Sequence, residues 1–170
     1  MIGRPAAEEA APYYAGYIAK APGENPLRAI EEQLDEAAKF FGGISEEKSL
    51  NRYAADKWSL RELLSHINDT ERVFSYRAVW FARGFDSPLP SFDQEIGVKG
   101  AGADSISWAA HVEEFRRIRA ATISLFRNLP ADAWMRSGIA SDNRVTVRAL
   151  AFIMVGHVNH HIGVVRERYL

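Results

Sequence analysis

The 170-residue chain contains no cysteine. Disulfide bonds, zinc ribbons, iron–sulfur clusters and a cysteine nucleophile are therefore excluded, and any metal site must use His, Asp or Glu. An excess of charge of one sign is also absent, because 21 basic and 22 acidic residues give a formal net charge of −1. Affinity for phosphate backbones comes from Lys and Arg, so we expect no nucleic-acid partner.

Long apolar runs are missing as well. No stretch reaches the roughly 20 residues that a membrane span needs, and the first residues lack the basic start and apolar segment of a secretory signal. We therefore expect a cytoplasmic protein that does not bind membranes. The hydrophobic share of 47% and the charged share of 25% are typical of a globular domain. We expect an N-terminal arm, residues 1–25, which Tyr13, Tyr14 and Tyr17 could pin to a domain formed by residues 26–170.

Four stretches carry apolar residues at the three-and-four spacing of amphipathic helices. Asn25 before Pro26 is a favourable start for the first helix, and Ser59 and Glu62 form a capping box at the start of the second. The fourth stretch is apolar around most of its circumference, so we expect it to be the most buried. No strand pattern of useful length is present. The predicted helices span residues 26–41, 59–83, 105–128 and 146–168.

The connection between the second and third helices, residues 85–104, is long and rich in Gly, Pro, Ser and Asp. A loop of this length inside a compact domain is usually functional or a crossover, and a crossover would let these two helices lie parallel. The sequence thus predicts an all-α fold, a four-helix bundle with a long connection between helices 2 and 3. The third helix also has a charged face that we interpret as solvent-exposed: Glu113, Glu114, Arg116, Arg117 and Arg119.

Three of the five histidines lie close together on the fourth predicted helix. His157 and His161 are four residues apart, so they project from one face and can bind a single transition-metal ion. His160 points roughly 60° away from His157 and could also face that side. Gly156 and Gly163 flank the histidines and cost about 1 kcal/mol each relative to Ala in a helix interior, which indicates close approach of a neighbour or ligand.

His66 on the second predicted helix is the candidate for a third ligand. It lies at the edge of that helix's buried stripe, and it can meet the fourth helix only in the bundle interior, where such metal sites are built. Asp69, three residues later, could accept the N–H of its imidazole. His111 is interpreted as an ordinary core or rim histidine. Because an H-x-x-x-H pattern also occurs without a metal, histidines satisfied by protein partners remain the alternative.

These segments resemble the signature positions of the DinB/YfiT-like superfamily of metal-dependent four-helix-bundle proteins. The resemblance covers about residues 26–170 and depends on three segments: Trp58 to Glu71, Gly156 to Gly163, and the loop Pro90-Ser91-Phe92-Asp93. The ligand positions that it implies are His66, His157 and His161.

The resemblance implies a three-histidine site for nickel or zinc and a homodimer. Characterised relatives include transferases and isomerases that depend on low-molecular-weight thiols such as bacillithiol or mycothiol. We therefore expect a metal-dependent transferase or hydrolase that activates a thiol or water against a small electrophile, with a small-molecule substrate as its partner. Asp69 and His160 are candidates for proton-handling catalytic residues. The alternative is a non-catalytic helical module that binds a ligand or partner, with a vestigial or structural metal.

Overall fold

The computed structural model describes residues 2–170, and this part of the chain contains six α-helices and one β-hairpin. The all-α class is thus confirmed. No helix in this range is long and apolar enough to cross a membrane. The helices are α1 (Ala15–Lys20), α2 (Pro26–Gly42), α3 (Leu60–Ala82), α4 (Gln94–Ala101), α5 (Trp108–Arg127) and α6 (Val147–Arg168), and the strands are β1 (Ser137–Ala140) and β2 (Asn143–Thr146).

The four predicted helices are α2, α3, α5 and α6, and their starts depend on the predicted caps. Asn25 Oδ1 accepts hydrogen bonds from the backbone N–H groups of Leu27 and Arg28 at the start of α2. Ser59 Oγ accepts from the Glu62 N–H at 3.0 Å, and the Glu62 carboxylate accepts from the Ser59 N–H at 2.9 Å. Each cap satisfies N–H groups that the first helical turn would otherwise leave unpaired.

The first two long helices, α2 and α3, lie diagonally across the bundle from each other, as do α5 and α6, because α2 and α3 each pack against both α5 and α6. Hydrogen bonds fix the relative direction of α3 and α5. Asn68 of α3 contacts Glu114 of α5, and further along Ser75 contacts Thr122. The residue numbers rise together, so these two helices run parallel, and the long connection between them is a crossover.

The helices α2 and α6 form a second parallel pair. Gln33 Nε2 donates to the Val155 carbonyl at 2.9 Å, and further along both helices the Arg166 guanidinium lies 5.1 Å from the centroid of the Phe40 ring. The bundle therefore consists of two parallel pairs, in contrast to the alternating directions that short loops produce.

Two connections hold regular structure that the sequence pattern did not predict. Asp93 Oδ1 accepts hydrogen bonds from the N–H groups of Glu95 and Ile96 and thereby starts the two-turn helix α4. The strands β1 and β2 form a hairpin whose turn residues, Ser141 and Asp142, have positive φ angles. Both elements are too short for a periodic apolar pattern to reveal them.

The prediction of close packing is right at Gly156 and wrong at Gly163. A Cβ atom at Gly156 would lie 1.7 Å from the backbone oxygen of Tyr17, so α1 rests directly on α6 there. A Cβ atom at Gly163 would meet nothing within 4 Å. The α6 helix is nevertheless the most buried element, since every residue from 149 to 158 is buried.

The segment before α2 is packed against the bundle through polar contacts. Arg4 donates to the carbonyl oxygens of Ile18 and Ala21, and the buried Glu9 carboxylate accepts hydrogen bonds from Thr146 and Arg148. The division of the chain at residue 25 stays a prediction.

Candidate metal centre

Three histidine side chains from two helices meet inside the bundle and are called the histidine cluster below. His66 belongs to α3, and His157 and His161 belong to α6. The Nε2 atom of His157 lies 3.0 Å from Nε2 of His66 and 3.1 Å from Nε2 of His161. One ligand nitrogen of each ring lies within 4.8 Å of the other two. The structure therefore brings together the three residues predicted as metal ligands.

The course of the two helices explains why the rings converge. The Tyr169 hydroxyl near the end of α6 donates to the Trp58 carbonyl before α3, whereas Phe74, later in α3, packs edge-on against His157. The two helices are therefore antiparallel, and the second turn of α3 faces the middle of α6. His66 projects from that turn toward the face on which His157 and His161 lie one turn apart.

A hydroxyl group fixes the orientation of one ring. Thr70 Oγ1 lies 3.3 Å from Nδ1 of His66, one helical turn along α3. If Nδ1 carries the proton and donates to Thr70, then Nε2 of His66 keeps its lone pair directed at the cluster. This is the outer contact that usually holds a metal-binding histidine in place.

The expectation that Asp69 performs this task is wrong. Asp69 Oδ1 instead accepts a hydrogen bond from Arg72 Nη1 at 3.0 Å, on the outer side of α3. Residues three and four positions along a helix both neighbour His66, and the packing of the bundle places Thr70, not Asp69, against its ring.

Burial keeps the three imidazoles uncharged at neutral pH. It lowers the pKa of His66 to about 4 and that of His161 to about 3. Burial, followed by the neighbouring rings of His161 and His66, lowers the pKa of His157 well below its ordinary value. Neutral imidazole is the form that binds metal ions, so the cluster is ready to bind without first losing protons.

The donor set fits a divalent transition-metal ion. Two nitrogen atoms bonded to one zinc ion, each at about 2.1 Å, lie about 3.0 to 3.5 Å apart, which matches the observed Nε2 spacings. Without an ion, His157 Nε2 faces two other ring nitrogens at once, although it has only one proton or one lone pair to offer. A single cation would satisfy all three atoms.

Aromatic rings enclose the cluster. The Trp58 ring lies 4.9 Å from the His66 ring, and the Tyr17 ring lies 5.5 Å from that of His157, both measured between centroids. A cleft of about 110 Å³ opens beside His66 and His157, and it is called the histidine cleft below. Its other lining residues are Tyr13, Tyr14, Tyr17, Thr70, Val73, Phe74, Arg77, Phe92, Gln94 and Ser141.

Two other histidines lie outside the cluster. His160 packs edge-on against Tyr17, with 5.4 Å between ring centroids, and lines a second surface groove together with His161 and Glu95. Its predicted role in proton handling stays a prediction. His111 is fully buried, and its Nε2 donates to the Ala103 carbonyl at 3.0 Å. It is thus a core histidine, as interpreted from the sequence.

The charged face predicted on α5 contains one residue that is completely buried. Arg119 has no exposed surface, and its Nη2 lies 2.7 Å from Glu71 Oε2, an ion pair by distance without a well-angled hydrogen bond. Its Nη1 donates to Gln33 Oε1, and Gln33 Nε2 donates to Asn159 Oδ1. These four residues are called the arginine network below. The sequence does contain a signal for this burial. Arg119 follows Phe115, a member of the apolar stripe, by four positions and therefore lies on the same face of the helix.

The comparisons with known proteins agree with this architecture. The sequence profile of the DinB superfamily matches residues 29–165. A solved structure of YfiT from Bacillus subtilis, described as "a probable metal-dependent hydrolase with an unusual four-helix bundle topology", aligns with a TM-score of 0.70 at 14% identity, over 96% of this chain and 89% of that chain. A search of curated proteins found no match.

Two solved structures of a mycothiol-dependent maleylpyruvate isomerase, one of them a mutant, are also similar. Their TM-scores are 0.66 and 0.67, at 12% and 11% identity. Each alignment covers 89% of this chain but only 62% of the isomerase. The chain therefore spans less than two thirds of that protein, and at these identities the likeness shows the fold alone.

Proposed function

Since the chain belongs to the DinB superfamily, we propose that it is a metal-dependent enzyme whose ion is held by His66, His157 and His161. The observation that carries the proposal is the convergence of three uncharged ring nitrogens with no acidic residue in the cluster. The description of the Bacillus subtilis structure as "a probable metal-dependent hydrolase" supports it.

The proposed ion is nickel or zinc. Imidazole ligands suit both metals, and the choice between them depends on geometry and on availability in the cell. Three protein ligands are typical of catalytic zinc sites, because a structural site usually has four. An ion held in this way keeps a position free for a further ligand.

The proposed reaction is attack on a small electrophile by water or by a low-molecular-weight thiol, as in a hydrolase or a transferase. A divalent ion lowers the pKa of a bound water or thiol and so supplies the nucleophile at neutral pH. The thiol alternative is supported by the similar fold of a mycothiol-dependent isomerase.

The chain's own residues supply orientation and exclude water. Thr70 holds the His66 ring, and the rings of Tyr17, Trp58 and Phe74 pack against those of His66 and His157. Burial raises the pKa of Tyr17, and its hydroxyl lies 3.5 Å from that of Tyr13. Tyr17 therefore stays protonated and can donate a hydrogen bond to a substrate, but it does not act as a base.

Metal analysis of the purified protein tests the proposal. We expect about one nickel or zinc ion per chain, and we expect His157→Ala and His161→Ala to lose it while the helical circular dichroism is largely retained. His111→Ala, a buried histidine outside the cluster, is the matched control and should keep the ion. Full metal occupancy in the double variant of His157 and His161 would overturn the assignment.

Activity assays of the metal-loaded protein then separate an enzyme from a binding module. A panel of thiols and electrophiles, together with ester and amide substrates, should reveal turnover that the metal-free protein lacks. If the metal-loaded protein shows no turnover and unfolds when the ion is chelated, the ion has a structural role, because its binding energy is then folding energy.

A further inference from the structure

Arg77 stands apart from the other buried arginines. Three arginines of residues 2–170 are buried, and two of them contact a carboxylate: Arg61 pairs with Glu46, and Arg119 pairs with Glu71. Arg77 is only 4% exposed, yet no acidic side chain of the described chain lies within ion-pair distance of it. A buried charge without a counter-ion is costly, so the position favours an anion from outside the protein.

The hydrogen bonds of Arg77 leave part of the guanidinium free. Nη2 donates to the Pro90 carbonyl at 2.9 Å and to Ser141 Oγ at 3.0 Å. Nε and Nη1 have no partner among residues 2–170, and neither belongs to the fully buried unpaired atoms, so both keep contact with open space. These N–H groups are available to a ligand.

Arg77 lines the same cleft as His66 and His157 of the histidine cluster, and it also lines a neighbouring surface cleft. Its Cζ is 6.0 Å from the centroid of the Phe74 ring, and that centroid is 6.3 Å from the centroid of the His157 ring. One aromatic ring thus separates the arginine from the cluster. No acidic residue of the described chain lines the histidine cleft, and Arg77 is its only arginine or lysine. The cleft therefore attracts anions and disfavours cations.

We propose that Arg77 binds a carboxylate group of the substrate, so that the substrates of this protein are small carboxylates. The inference rests on the metal-dependent function proposed above. Charge-assisted hydrogen bonds from a guanidinium are the usual means of binding a carboxylate in a protein. With the carboxylate at Arg77, the rest of a small molecule extends along Phe74 toward the histidine cluster.

A purely structural role for Arg77 makes a different prediction. Its bonds to Pro90 and Ser141 join α3 to the crossover and to the hairpin turn, so its removal should lower stability in any case. A structural role would not change the preference of the protein for an anion over a neutral molecule of the same shape. The decisive measurement is therefore a ratio of affinities.

Calorimetric titration of the zinc-loaded protein measures this ratio with two matched pairs of probes, succinate against succinamide and benzoate against benzamide. We expect the parent to bind at least one anion about tenfold or more tightly than its neutral partner. We expect Arg77→Met to reduce this ratio to about one and Arg77→Lys to retain part of it. Arg72→Met is the matched control, since Arg72 lies on the same helix outside the histidine cleft and is paired with Asp69 and Glu114.

Three outcomes would overturn the inference: equal affinity of the parent for anion and amide, no binding of either anion, or an unchanged ratio in Arg77→Met. If Arg77→Met does not fold, as judged by circular dichroism, the parent and Arg77→Lys ratios still decide. The two proposals fail in different ways. A parent that does not bind zinc overturns the proposed function. A zinc-loaded parent that shows no preference for the anion overturns only the role of Arg77.

Discussion

The histidine cluster and the arginine network are both polar groups inside one bundle, but they are satisfied in opposite ways. In the arginine network, Arg119 finds its partners within the protein, in Glu71 and Gln33, and Gln33 continues to Asn159. In the histidine cluster, the Nε2 atom of His157 faces only other ring nitrogens. A buried polar group that is paired internally holds the fold together, whereas one that lacks such a partner is prepared for a ligand.

The largest effect should come from breaking the arginine network. Arg119→Met leaves the Glu71 carboxylate buried without its partner, so we expect the free energy of unfolding to fall by about 3–5 kcal/mol. Urea denaturation of the metal-free protein measures the loss. Arg117→Met, which removes an exposed pair with Glu113 on the same helix, should change it by less than about 1 kcal/mol. Equal stability of these two variants would contradict the assigned role of the network.

Acid should lower the free energy of unfolding of the metal-free protein, because the buried histidines of the cluster take up protons more readily once the chain unfolds. Burial lowers the pKa of His66 from 6.5 to about 4, so the unfolded chain binds a proton more readily than the folded one. The contribution of His66 to the free energy of unfolding is therefore complete above about pH 6.5. Roughly 3 kcal/mol of it is lost as the pH falls toward 4. Urea midpoints at several pH values test this, and His66→Ala should show a smaller loss. An identical pH dependence in His66→Ala would refute the assignment.

Metal binding should stabilise the parent but not a variant with an incomplete cluster. At a zinc concentration one hundred times the dissociation constant, zinc binding raises the free energy of unfolding by about 2.7 kcal/mol. We expect the zinc-induced rise in melting temperature to be large in the parent and small in His66→Ala. His111→Ala should keep it, although its own stability is lower. If His66→Ala keeps the rise and His111→Ala loses it, the third ligand has been chosen wrongly.

The smallest effect should come from the hydroxyl group beside His66. Thr70→Val keeps the shape of the side chain but removes the acceptor for Nδ1, so we expect zinc affinity to fall about tenfold with little change in the metal-free fold. Competition with a chromogenic chelator measures the affinity. Asp69→Asn is the matched control, since Asp69 contacts Arg72 and not the cluster. A larger loss in Asp69→Asn than in Thr70→Val would restore the role first predicted for Asp69.

Long elements with a repeating pattern could be predicted from the sequence, and short ones could not. The four bundle helices carry several apolar turns each, and the i, i+4 spacing of His157 and His161 places them on one face whatever the rest of the fold does. The hairpin and α4 lack such repeats. The ring partner of His66 also escaped prediction, because Thr70 and Asp69 are both near it along the helix and only packing decides between them.

The oligomeric state and the binding partners depend on the protein surface, which the apolar pattern of the helices does not describe. The homodimer and the absence of nucleic-acid and membrane partners stay predictions. Arg77 was not singled out from the sequence either, since its lack of an acidic partner is a fact of the whole fold and not of its neighbours along α3.

Because Gly156 contacts the Tyr17 backbone, we expect these two distant parts of the chain to vary together among relatives. Any side chain at position 156 would collide with the Tyr17 backbone and push α1 away from His157, which is the next residue on α6. A substitution there would thus reshape the metal centre without altering a single ligand. Among relatives, we expect glycine at this position wherever the segment before the bundle lies as it does here, and larger residues only where that segment is missing or takes another course.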